Sequence, residues 1–270
     1  MQSGEFPMSS AKPFDKYAAY ALSVQSPKED ARFLRRIYRD VNSSEPALMR
    51  EDFCGAFALC CEWVKLDQGK RAIGLDIDPE ALFYGSDHYL PLLTDSAKSR
   101  LKTLQNDVLR NGAPKADIIC ALNFSYFTFQ NRTTLVSYFK ACRRSLLRDG
   151  LFVVDVFGGP CCQQPSVETK RVDGLTYFWE QESFDPINNR AQFHIHFKPK
   201  QGRKRKRVFS YDWRMWSIPE LRDAMISAGF KDVIVYWEGT ARNGTGSGKY
   251  HQKLRGESSQ VWLAYVVGLT

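Results

Sequence analysis

Leu48-Met49-Arg50-Glu51-Asp52-Phe53-Cys54-Gly55-Ala56-Phe57, followed by Ala72-Ile73-Gly74-Leu75-Asp76-Ile77-Asp78-Pro79, decides how this chain reads. A strand ends in an acidic turn with one glycine, a helix follows, and a second strand ends in aspartate. That is half of a nucleotide-binding βαβ unit, with Asp76 lying 21 positions beyond Gly55. A carboxylate at the tip of the second strand can accept from both hydroxyls of a ribose. Gly55 lets backbone come close to a ligand. A pyrophosphate cradle asks for G-x-G-x-x-G, but Phe53 and Phe57 stand in its first and third glycine places. The loop therefore suits a ligand with an adenosine and no phosphates better than a dinucleotide.

Outward from this unit the same alternation continues. A short strand near 101–104 ends in Asn106-Asp107-Val108, and an apolar run over 117–122 reads as a strand covered on both faces. A helix over 133–147 and a strand over 151–157 follow. Strands alternating with helices give a parallel sheet covered on both sides. From 176 to 213 the pattern changes to alternating polar and apolar residues joined by turn sequences, an antiparallel meander of about three strands. Ser217-Ile218-Pro219-Glu220 is a capping box that restarts a helix. A closing strand pair is expected over 231–238 and 260–267, with the polar, Gly-rich stretch 239–259 as a mobile loop between them. Residues 1–12 read as disordered and 14–39 as a cover helix.

The fold expected is thus α/β, a doubly wound, mostly parallel seven-stranded sheet with an inserted antiparallel β lobe and an N-terminal helical cover. Its parts are a disordered segment and cover helix (1–45), a Rossmann-like core (46–164), a lid lobe (165–215), and a helix and strands completing the sheet (216–270).

These features resemble motif I and the ribose-binding acid of class I S-adenosylmethionine-dependent methyltransferases, with Glu51 in the acidic place, Cys54-Gly55 as the central pair and Asp76 in the ribose place. Asp107 matches the family's acid after the third strand, which accepts from the adenine amino group, and Val108 offers the ring an apolar surface. Asn123-Phe124-Ser125-Tyr126 falls where motif IV faces the methyl group. The lobe looks like that of the glycine and amino-sugar N-methyltransferase type. The resemblance implies adenosylmethionine as cofactor, held by Glu51, Cys54, Gly55, Asp76, Ile77, Asp107, Val108 and Asn123. It implies Asn123 and Tyr126 as the catalytic pair. Only the first helix and the lobe are long enough to cover the fourth strand's tip, which puts Tyr17, Tyr20 and Arg214 at the acceptor. No metal is expected.

Each of these residues also has a plainer reading. Asp76 could cap a helix, although Asp78 suits that role better. Glu51 could pair with Arg50, and Asp107 and Asn123 could be turn residues. Tyr17 and Tyr20 could staple the core. Tyr211, Trp213 and Trp216 with Arg214 are either a core cluster or faces for a cation. His194 and His196 share one strand face, away from Phe193, Ile195 and Phe197; they could serve as a base or a metal pair, but no acid or cysteine nearby in sequence completes such a set, and they are expected to meet solvent.

The totals narrow the classes further. At 43% hydrophobic and 25% charged residues the chain is an ordinary globular protein, and it has no run of 18 apolar residues to span a membrane. The N-terminal stretch lacks a basic segment followed by an apolar one, so no secretory signal is expected and the location expected is cytoplasmic. Seven cysteines without C-x-x-C spacing fit buried free thiols. The net charge of +8 owes much to Arg203-Lys204-Arg205-Lys206-Arg207, which is either a solvated hairpin turn or a nucleic-acid contact. The activity expected is methyl transfer to a small-molecule acceptor by in-line displacement. The alternatives are a nucleic-acid-binding protein or RNA methyltransferase using the 203–207 run, and an oxidoreductase using a nicotinamide dinucleotide. The oligomeric state stays open.

Overall fold

The computed structural model describes residues 13–110, 112–241 and 245–270. The disorder expected for 1–12 lies outside the described residues. The cover is two helices rather than one, α1 (Lys16–Val24) and α2 (Pro27–Asn42). Pro27 explains the break. It cannot continue α1, but its fixed φ suits the first position of α2.

The core runs β1 (Leu48–Asp52), α3 (Ala58–Lys65), β2 (Arg71–Asp76), α4 (Pro79–His88), α5 (Asp95–Lys98), β3 (Leu101–Gln105), β4 (Ala116–Ala121), α6 (Arg132–Ser145) and β5 (Leu146–Gly158). The lobe comprises β6 (Ser166–Val172), β7 (Leu175–Asp185), β8 (Arg190–Pro199) and β9 (Arg205–Arg214). The chain then returns through α7 (Ile218–Ser227), β10 (Asp232–Thr240), β11 (Gly246–Gln252) and β12 (Trp262–Leu269). The main sheet has the order β11-β10-β12-β5-β4-β1-β2-β3. Strands β1 to β5 are mutually parallel, and β12 enters antiparallel to β5.

Two expectations are corrected. The main sheet has eight strands because part of the stretch read as a mobile loop is β11, paired antiparallel with β10. Its sequence, GSGKYHQ, carries no apolar alternation, and an edge strand needs none, since one neighbour pairs with half of its backbone groups and water can reach the rest. The lobe has four strands rather than three, because β6 is an exposed edge with the same property.

Apolar clusters fill both faces of the sheet. Phe139, Phe152, Leu221 and Met225 lie on the face of α6 and α7, and Leu34, Ile37, Trp63 and Met49 on the face of α2 and α3. A third, smaller cluster joins the lobe to the cover, with Ala19 and Tyr20 of α1 against Ile195, Phe197 and Phe209. The lobe is thereby held over the carboxyl ends of the core strands, where open α/β sheets bind ligands. The capping box at Ser217 and Glu220 is present as read from the sequence.

Candidate functional site

The turn after β1 keeps a glycine-like path without the glycines. Phe53, Gly55 and Phe57 all have positive φ, at 60°, 52° and 49°. A bulky residue in that region costs about 1–2 kcal/mol. Phe57 is held there because its ring is buried, and Gly85 of α4 makes room for it. A Cβ at Gly85 would come within 2.4 Å of that ring.

Asp76 ties the tips of β1 and β2 together. One carboxylate oxygen accepts from the Gly55 N–H at 2.6 Å and the other from the Asp78 N–H at 2.8 Å. Asp78, not Asp76, caps α4, accepting from Glu80 N–H at 2.9 Å. The half-exposed Asp76 carboxylate retains lone pairs for further donors. Beside it Ile77 is 66% exposed, an apolar side chain standing free at a strand tip. Cys54 and Val108 are buried, and Asp107 uses one oxygen to accept from Leu109 N–H at 2.9 Å.

Neighbouring acids on β1 have opposite fates, because successive side chains point to opposite faces. Asp52 is fully buried and satisfied. Arg50 binds it through two nitrogens at 2.8 and 3.1 Å, and the Tyr138 hydroxyl donates to it at 2.9 Å. The partner of Arg50 is thus Asp52, and the Glu51 pairing considered from sequence does not form. Glu51 is 4% exposed, accepts from the Cys60 thiol at 3.2 Å, and burial pushes its pKa up to about 8. Asp155, on β5, is pushed up by burial to about 7, and Asp30 of α2 to about 6. The negative charge of Asp30 reinforces both Glu51 and Asp155. None of the three has a cationic partner among the described residues.

Sequence reading passed over Asp155 and Asp30. A signal for Asp155 did exist, as a lone acid within the apolar Val153-Val154-Asp155-Val156-Phe157. Its carboxylate accepts from the N–H groups of Asn123 and Phe124 at 2.7 and 2.9 Å. That grip holds two consecutive non-glycine residues at positive φ, 56° and 58°, and so presents the loop after β4.

Asn123, Phe124 and Tyr20 line a cavity of about 200 Å³ together with Val24, Glu168, Tyr177, Trp179, Ile195, Tyr211 and Trp213. The walls are mostly aromatic, with Glu168 as the single carboxylate. Burial pushes the Tyr20 phenol up to about 12 and raises Tyr177 and Tyr211 as well, so all three are neutral hydroxyls near pH 7. A wider groove of about 920 Å³ adjoins it, sharing Phe124, Glu168 and Trp179.

Three residues expected around this cavity are elsewhere. Tyr126 is completely buried and its hydroxyl donates to the Asp155 carbonyl at 2.8 Å, a core role that removes it from the catalytic pair. Arg214 stacks 3.9 Å over Trp216, bonds Glu220 at 3.1 Å and donates to the Gln130 carbonyl, fastening the foot of the lobe to α7. Tyr17 packs on Tyr84 at 4.7 Å and on Phe209, over α4. Of the acceptor set only Tyr20 joins Asn123.

The two histidines are also corrected. His194 and His196 are 4% and 3% exposed. Across the strands His194 meets Glu182 and Ser210, each at 2.8 Å, and His196 meets Glu180. Arg207 N–H donates to His196 Nδ1 at 2.7 Å, so Nε2 carries the proton toward Glu180. The acids absent near them in sequence arrive by strand pairing.

No family model and no curated protein matches the chain. Solved structures do. An S-adenosylmethionine-dependent methyltransferase from Clostridium acetobutylicum superposes with a TM-score of 0.65 at 16% identity, over 94% of this chain and 97% of that one. CalS10, an amino pentose methyltransferase from Micromonospora echinaspora solved with S-adenosylmethionine bound, gives 0.63 at 16% identity, over 94% and 97%. The sugar N-methyltransferase KedS8 from a Streptoalloteichus species gives 0.63 at 17%, over 100% and 98%. The chain has the fold of the class I S-adenosylmethionine-dependent methyltransferases, lobe included.

Proposed function

We propose that the protein is an S-adenosylmethionine-dependent methyltransferase whose acceptor is an amine of a small molecule. The observation that carries this reading is the linked pair of tips, Asp76 gripping the Gly55 N–H beside the buried Glu51 and Asp155 and the half-buried Asp30, which have no cationic partner among the described residues. A ligand with a ribose and two positive charges suits that arrangement. Asp76 and Asp107 would hold the ribose and adenine, with Ile77 and Val108 against the ring. Glu51 and Asp155 would offset the ammonium and sulfonium charges. Phosphates would be repelled there, which disfavours a nicotinamide dinucleotide.

When bound, adenosylmethionine supplies the electrophilic methyl carbon. The protein's own residues then position the acceptor. Asn123 stands between the strand tips and the aromatic cavity, so an amine in that cavity faces the β4 tip. Tyr177, Trp179, Tyr211 and Trp213 offer π faces that favour a cationic nitrogen, by about 0.5–2 kcal/mol. Glu168 at the rim can take the proton that nitrogen releases after it gains its fourth bond. Alignment and exclusion of water supply most of the rate in such a displacement.

Calorimetry with S-adenosylmethionine, S-adenosylhomocysteine and NAD tests the cofactor. Binding of the first two and not the third is expected, and preferential binding of NAD would overturn the reading. A screen of amine against hydroxyl acceptors with labelled cofactor then tests the acceptor atom, and methylated hydroxyls alone would refute the amine assignment.

A further inference from the structure

We propose that the free tip of the lobe is a docking surface for a nucleic-acid strand. Strand pairing brings two turns side by side there, the β6–β7 turn and the β8–β9 turn. Leu175 pairs with Pro199, and Lys200 N–H donates to the Gly174 carbonyl at 2.7 Å. Residues 170–176 and 198–207 together hold nine lysines and arginines against a single acid, Asp173. That surplus of eight equals the net charge of the whole chain. The sequence exposes only the 203–207 run, and the fold adds Lys170, Arg171, Lys198 and Lys200 to it.

All nine cations are exposed. Three are engaged within the lobe and its cover. Lys204 lies over Phe178, Arg205 over Phe14, and Arg207 pairs with Glu182. For the other six no acidic partner is found among the described residues. Arg171, Thr176 and Lys198 are consecutive cross-strand neighbours and so share one face, with the two cations about 10 Å apart at ordinary strand spacing. This is the face opposite Ile195 and Phe197, away from the cover helix. Arg171, Lys198 and Lys200 line a cleft of about 480 Å³ between the turns.

The chemistry of the tip selects among anionic partners. Among the described residues the large apolar side chains that are exposed, such as Phe83, Leu92 and Ile187, all lie outside these two turns. A membrane-docking surface inserts apolar residues, and a protein interface has an apolar centre poor in lysine. A dense array of lysine and arginine with neither feature fits a chain of phosphates, which exchanges its counterions for the protein's cations.

Fluorescence anisotropy with a labelled single-stranded RNA of about 16 nucleotides tests the proposal on the full chain. Saturable binding is expected at about 50 mM salt, weakening about 100-fold by about 200 mM, as four to five phosphate contacts require. Replacing Lys198, Lys200, Lys204 and Lys206 by glutamine should weaken binding at least about 50-fold and flatten the logarithmic salt slope by about 3. A control replacing the exposed Lys28, Lys102, Lys140 and Lys231 by glutamine removes the same charge elsewhere and should change affinity less than about 5-fold. Equal melting temperatures confirm that both variants fold. Three results would each overturn the proposal: no saturable binding at low salt, equal losses in the two variants, or displacement of the RNA by stoichiometric inorganic pyrophosphate at matched ionic strength. The last would make the cleft a small-anion site. None of these readouts depends on methyl transfer.

Discussion

Near the tips of β1 and β5, Glu51 and Asp155 lie buried without a cation, while at the tip of the lobe six cations stand in solvent without an acid, in both cases among the described residues. Between these extremes, Arg50 and Asp52 are buried together and complete one another. Charge costs little where water reaches it and a great deal where it does not. Exposed cations can therefore accumulate on a surface without harm to the fold. Buried, uncompensated acids persist only against a stability cost, which a positively charged ligand can recover on binding. The two regions thus indicate opposite ligands, a cation within the core cleft and a polyanion outside the lobe.

The largest effect should come from breaking the buried Arg50–Asp52 pair, which is complete. Arg50→Met leaves Asp52 without its guanidinium and frees the Pro114 carbonyl that Arg50 also binds at 2.8 Å. A loss of about 3–5 kcal/mol in urea unfolding is expected. Adding Asp52→Leu should recover part of it, and no recovery would mean that packing, not charge, dominates there.

Glu51→Gln should do the reverse. The folded state raises Glu51 from its ordinary 4.5 to about 8, so it penalises the ionised form. That penalty is absent below pH 4.5, grows as pH rises, and is complete above about 8. The variant should therefore be more stable than the parent at pH 9, by about 2–4 kcal/mol, below the ceiling of about 5 that the full rise sets at roughly 1.4 per pKa unit because side chains and water relax toward the charge, and equal to it near pH 4. A constant difference across that range would show that burial is not the cause. The same variant should bind adenosylmethionine more weakly at pH 8.

Asp76→Asn removes a charge-assisted acceptor that also fastens Gly55. Adenosylmethionine affinity should fall about 10- to 100-fold, or roughly 1.5–3 kcal/mol, with the melting temperature nearly kept. Unchanged affinity by titration would move the ribose elsewhere. Trp179→Leu should be the mildest of the four, raising the KM of an amine acceptor about 3- to 30-fold through the lost π face. Cofactor affinity should not move. A change confined to cofactor binding would detach the aromatic cavity from the acceptor.

Asp76, Gly55 and Asp107 were legible because each lies next to the strand whose end it marks, so local pattern and spatial position coincide. The left-handed Phe53 and Phe57 kept that path even where the glycines were missing, since Gly85 on a later helix absorbed the bulk of Phe57. Tyr126 and Arg214 were misread because motif outline and topology give the neighbourhood of a side chain but not its direction. One hydroxyl turned into the core, and one guanidinium turned to Trp216 and Glu220.

The sequence by itself determined the alternation of strands and helices through the parallel core, the inserted lobe and the acids at the strand tips, because periodicity and turn residues act over a few positions. The tertiary structure alone decided which acids are buried without a cation, that Asp155 holds the Asn123 loop, and that Tyr20 joins Tyr177, Trp179 and Tyr211 around one cavity. It alone set His194 and His196 against Glu182 and Glu180, and two basic turns side by side. Each of these depends on contacts between residues far apart in the chain, and burial, which sets the energy of a charge, is a property of the folded molecule.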